Sequence, residues 1–130
     1  MGQAQSPSRA DQVIWKTLKL KGDNVVIEWL RFEVSPEARE RFVQQDAEIW
    51  TTALSEYGGF LGKEVWISPD NPTEVITVVH WESFEQWYSI PEARLEIVES
   101  RFSQAMGEGT YQLLESKAYQ VRKFAQVPAC

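Results

Sequence analysis

A chain of 130 residues and 15.0 kDa is the size of one domain with one core, large enough to fold without metal or disulfide staples. Its net charge of -6 and pI near 4.8 argue against nucleic acid and against anionic membrane surfaces, both of which select clustered Lys and Arg. The single cysteine, Cys130, offers no intrachain disulfide and no thiolate cluster, and no window is long and apolar enough for a membrane span, so a soluble protein of the cytoplasm is expected.

Residues 1–22 read as an N-terminal extension. Its first ten are rich in Gln, Ser and Pro and are expected to be mobile, and VIWKTLKLKG follows as a short amphipathic piece. A domain is expected over 23–124, with a tail at 125–130. Val25 to Val34 (VVIEWLRFEV) is β-branched and aromatic with neither face wholly polar, which predicts a strand. Ser35-Pro36-Glu37 then supplies a capping hydroxyl, a proline preset for the first helical turn and a carboxylate at the positive dipole end. Val43, Ala47, Trp50, Leu54 and Tyr57 form the stripe of the helix that follows, and Gly58-Gly59 suits a left-handed C-terminal turn.

Phe60 to Ile67 predicts a second strand. The turn cluster Ser68-Pro69-Asp70-Asn71-Pro72 is too short for a crossover, so Glu74 to Trp81 returns antiparallel. Ser83 caps a short helix, and Pro91 opens another with Leu95, Val98, Phe102 and Ala105 as its buried stripe. Gly107 and Gly109 end that helix, and Tyr111 to Val121 forms the last strand. The order β-α-β-β-α-β is that of an α+β, ferredoxin-like fold: two helices cover one face of a four-stranded antiparallel sheet.

The other face is then left uncovered. Val75, Ile76, Val78, Val79 and Trp81 are apolar on both parities, whereas a solvated face should alternate with polar residues. Roughly 600 Å² of apolar sheet is worth on the order of 15 kcal/mol before association costs, so a face-to-face homodimer is expected, the alternative being that VIWKTLKLKG folds over the sheet instead.

The segments LRFEVSPE, GFLGKEVW and HWESFEQW resemble the antibiotic-biosynthesis-monooxygenase group of the dimeric α/β-barrel superfamily over about residues 25 to 121. EIWTTALSEYGGFLGKEVWISPDNP and ESKAYQVRKF are similar, more specifically, to a small uncharacterised cyanobacterial family of that superfamily. The resemblance implies a ligand space between helices and sheet. It also brings the pattern of the superfamily's haem-degrading members: an asparagine on the first strand, a tryptophan on the short helix and a haem-ligating histidine about ten residues on. Here Leu30, Trp87 and Ile97 stand at those positions. Neither Leu30 nor Ile97 can ligate iron or hydrogen-bond a bound oxygen, so haem degradation is disfavoured and no cofactor is expected.

Trp87, Trp81, Trp50, Leu30 and Ile97 are therefore the candidate ligand-binding residues. Each tryptophan has the plainer reading of a core anchor, but together the rings suit a planar apolar ligand through stacking and area burial. His80, the single histidine, suits proton transfer at neutral pH or a structural place on the sheet beside a carboxylate. Glu28 is its candidate catalytic partner if the strand registers agree. Arg31 and Glu33 should pair across strands with Glu115 and Lys117. No phosphate loop, zinc spacing or nucleophile elbow occurs. Three readings remain: a binder of a small aromatic molecule, a cofactor-independent monooxygenase of a quinol-like substrate, and a structural homodimer without a ligand.

Overall fold

The computed structural model describes residues 25–125, so the expectations for the extension at 1–22 and for most of the tail lie outside the described residues. β1 (Val26–Val34) leads into a helical run at 36–54, α1. This run comprises a 3-10 turn (Pro36–Ala38), an α-helix (Arg39–Gln45), a π-helical stretch (Asp46–Thr51) and a last α turn (Thr52–Leu54). β2 (Phe60–Ile67), β3 (Glu74–Trp81), α2 (Phe84–Trp87), α3 (Glu92–Met106) and β4 (Tyr111–Gln120) follow. The sheet is antiparallel throughout, in the order β2-β3-β1-β4, so the expected ferredoxin-like fold is the one found.

Register decides which side chains share a face. Glu28 stands opposite Val79 and Phe32 opposite Val75 across β1 and β3, while Lys63 stands opposite Val79 across β2 and β3. The face that carries Glu28, Leu30 and Phe32 lies under the helices. Two apolar clusters fill it: Val34, Ala38, Phe42, Val75, Phe102 and Met106 at one end, and Val26, Leu54, Val79, Trp81 and Ile90 at the other. Trp50 packs against both. At the first end the Phe42 ring lies 5.0 Å from Phe32 and 5.2 Å from Phe102, the tilted and edge-on geometry that aromatic quadrupoles favour.

The opposite face, which no helix among the described residues covers, carries Ile27, Trp29, Arg31 and Glu33 from β1 and Ile76, Val78 and His80 from β3. Arg31 pairs with Glu115 across β1 and β4 at 2.9 Å, as expected, but Lys117 turns to Glu115 and to the Trp29 ring rather than to Glu33. A register shift after Arg31 in the β1–β4 ladder skips Leu114, which is left half-exposed.

Local expectations are corrected at four points. Phe42 and Asp46 are buried where Val43 and Ala47 were expected, because the π-helical stretch has a wider repeat than an α-helix and shifts the phase of the buried stripe. On α3 the buried residues recur every four, at Val98, Phe102 and Met106, which leaves Ala105 outside. Ser35 makes no side-chain cap, whereas Ser83 accepts from the Gln86 N–H at 3.1 Å as its position predicts. Gly58 and Gly59 have no left-handed backbone; Gly59 is required for close approach, since a Cβ there would stand 2.3 Å from the Gln86 Cβ. Among the described residues the left-handed glycines are Gly107 and Gly109, after α3.

Candidate functional site

Between the helices and the covered face, flanked by the two apolar clusters, lies a cavity of about 310 Å³. Leu30, Val79 and Trp81 from the sheet and Trp50, Leu54, Trp87 and Leu95 from the helical side give it apolar walls. The volume is at the lower end of what small-molecule sites use.

Its polar groups come from separate elements. Glu28 on β1 accepts from the Trp81 indole N–H at 3.2 Å. Burial pushes its carboxyl above the ordinary 4.5, and the indole bond and the Lys63 charge pull it only part of the way back. Lys63 on β2 donates to Asp46 Oδ1 at 2.7 Å, and both side chains are about 95% buried. Even beside that ammonium, burial keeps the Asp46 carboxyl above its usual range. Asp46 opens the π-helical stretch, and its Oδ2 is buried with no hydrogen-bond partner; the same holds for Thr77 Oγ1 on β3. Single π-helical turns within α-helices are frequent at functional sites, and this one puts Asp46 on the cavity wall. At the far side Tyr111 donates its hydroxyl to Glu99, and burial followed by the Glu99 contact pushes the phenol well above its ordinary pKa.

The candidate residues separate cleanly. Glu28, Leu30, Trp50, Trp81 and Trp87 line the cavity. His80 does not. It pairs with Ile27 and Gly62 on the opposite parity from Glu28, and its Nε2 lies 3.4 Å from Glu64 Oε2 on the uncovered face. The sheet itself therefore separates Glu28 from His80, and the expected dyad does not form. Ile97 is 54% exposed on the outer side of α3, because the residues turned inward there are Leu95 and Val98.

Sequence reasoning did not single out Asp46, Lys63 and Thr77. The one available signal was the charged pair Lys63-Glu64 in an otherwise apolar strand, and the meaning of Lys63 depended on Asp46 arriving opposite it. Among the described residues no group of three or more His, Cys, Asp or Glu is arranged to hold a metal ion. No helix among them is long and apolar enough to cross a membrane.

An antiparallel ferredoxin-like sheet with a cavity under its helices defines the class of protein, and sequence comparison gives the family. Residues 26–90, half of the chain, match the antibiotic biosynthesis monooxygenase family, and the chain belongs to it. No curated protein sequence matches the chain significantly. Among solved structures it is similar to the monooxygenase from the ActVA-Orf6 gene of Streptomyces coelicolor in complex with nanaomycin D. That match has a TM-score of 0.63 and 19% identity and covers 82% of this chain and 95% of the other. It is also similar to SnoaB, a cofactor-independent oxygenase from Streptomyces nogalater, with a TM-score of 0.55 and 15% identity over 78% of this chain and 96% of that one. A conserved protein from Methanosarcina mazei matches with a TM-score of 0.57 and 15% identity over 82% of this chain and all of the other. At these identities the likeness concerns the fold.

Proposed function

We propose that this protein binds a small aromatic molecule in the cavity beneath its helices, as a homodimer joined through the uncovered face of the sheet. The observation that carries the reading is the cavity itself, about 310 Å³ with Trp50, Trp81 and Trp87 on its walls. Space of this size beside polar groups without partners is what a ligand fills and what a purely structural homodimer would pack shut. The dimer rests on Trp66 and Tyr119, 46% and 49% exposed on one chain and on the parity of Ile76 and Ile27. Together with Trp29 and Ile76, which are partly covered, they would lose water against a second sheet.

A second reading, cofactor-independent oxygenation, is favoured by Glu28. A buried carboxylate with a raised pKa, on the wall of an aromatic cavity, is suited to take a proton from an electron-rich ring before molecular oxygen reacts. In this reading Glu28 takes the base role without His80.

The two readings part under two measurements. Calorimetric titration with neutral planar probes such as 2-naphthol should show saturable binding that is lost when Leu30→Trp fills the cavity, and no binding to the unaltered protein would sink the ligand reading. Oxygen uptake with naphthohydroquinones, present in the protein and abolished in Glu28→Gln, would establish the enzyme. Binding without uptake would leave a binder alone.

A further inference from the structure

The groups that line the cavity carry more negative than positive charge, and their arrangement specifies a ligand more closely than its aromatic walls do. Glu28, Asp46 and Glu99 face the space with a single cation, Lys63. That cation is already committed to Asp46 at 2.7 Å. Glu28 has only the 3.2 Å indole bond from Trp81. Asp46 Oδ2 and Thr77 Oγ1 also lack partners, but they are buried behind the wall with almost no surface of their own. Glu28, with one bond from the indole, has acceptor capacity left, and the group that satisfies it must donate. The rings of Trp50, Trp81 and Trp87 line the same space, and indole faces attract cations.

We infer that the ligand is an aromatic amine, bound as its cation, with the ring between the tryptophans and the ammonium directed at the Glu28 carboxylate. The inference rests on the cavity being a ligand site and goes beyond it by fixing the ligand's charge. An acidic end group would meet the Glu28 carboxylate inside a low-dielectric space, where like charges repel strongly. A hydroxyl could donate to Glu28 but would leave its charge uncompensated.

Titration supplies an internal check. The groups facing Glu28 are Lys63 from β2, the Trp81 indole from β3 and Asp46 from α1, with Glu99 from α3 and Tyr111 from β4 further along the wall. Burial makes Glu28 retain its proton above the ordinary carboxylate range. A cation arriving beside it favours the ionised form, so binding should release a proton and strengthen as pH rises through the Glu28 titration.

Calorimetry with three near-isosteric indoles, tryptamine, tryptophol and indole-3-acetate, tests the charge directly on the full chain. Tryptamine should bind about tenfold or more tightly than tryptophol, in line with a charge-assisted hydrogen bond, and indole-3-acetate should bind weakest. Glu28→Gln should remove most of the preference for tryptamine over tryptophol. The unaltered protein provides the second measurement, since its preference for tryptamine should grow from pH 5 to pH 8 with net proton release in buffers of differing ionisation enthalpy. Equal affinity for tryptamine and tryptophol, tightest binding of indole-3-acetate, or an unchanged preference in Glu28→Gln would each overturn the amine. If none of the three binds but 2-naphthol does, the amine falls and the aromatic cavity stands. If nothing binds, both fall.

Discussion

The two faces of the sheet are built from alternate residues of the same strands, yet they have opposite organisation. Under the helices, Phe42, Phe102, Val75 and Trp81 are almost wholly buried, and the polar groups among them, Glu28, Asp46 and Lys63, meet around a cavity. On the other side, Trp66 and Tyr119 stand about half exposed beside His80, Glu64 and Arg31. The difference teaches that aromatic content alone does not mark a site. Rings line a pocket where a second layer encloses them, and they stand exposed where no described element does.

The contrast breaks most sharply in the covered core. Phe42→Ala removes a ring that touches Phe32, Phe102 and Tyr111, and should cost about 3–5 kcal/mol in urea denaturation. Lys63→Met should cost a comparable amount, about 3–5 kcal/mol, because it strands the Asp46 carboxylate in the interior. Adding Asp46→Leu should recover most of that loss, since an apolar pair of similar volume often matches a buried ion pair in stability. A double variant as unstable as the single one would show that the pair supports more than its own charge.

On the uncovered face the expected change is in assembly. Ile76→Lys should lower the mass found by light scattering at micromolar concentration from twice the 15.0 kDa chain mass to once, with the helical signal retained. A protein that is already monomeric would remove the dimer from the proposal.

Much of this was legible in the chain. The strand–helix order, the Ser83 cap and the excess of apolar residues on both parities of β3 follow from local pattern. The site was legible only in part, because Trp50, Trp81 and Trp87 advertise themselves by size while Lys63 and Asp46 acquire meaning only when β2 passes beneath the π-helical stretch of α1.

Smaller effects sharpen the comparison. The raised Glu28 pKa means that the native protein holds a proton that the unfolded chain has released. Stability should therefore fall as pH rises from about 4.5, the ordinary value, through the native titration. Glu28→Gln should be more stable than the unaltered protein at pH 7, and this advantage should vanish below pH 4.5; thermal melts across that range give the sign. The smallest effect belongs to His80→Ala, whose contact with Glu64 lies at the surface. It should change stability by no more than about 0.5 kcal/mol and leave cavity binding untouched. A large loss of ligand affinity in that variant would mean that the two faces communicate.

By itself, the sequence determined the order and type of the elements, because hydrophobic period, capping residues and turn residues act over a few positions. It also determined that apolar residues would fall on both sides of the central strands. Tertiary structure decided which residues meet. The pairing of Glu28 with Val79 and of Ile27 with His80 sends the carboxylate and the imidazole to opposite faces, and a register shifted by one residue would have reversed that outcome. The wide turn at Asp46 then chose the carboxylate that faces Lys63. Such meetings depend on long-range pairing between strands and on the phase of one helix, neither of which any local stretch of the chain encodes.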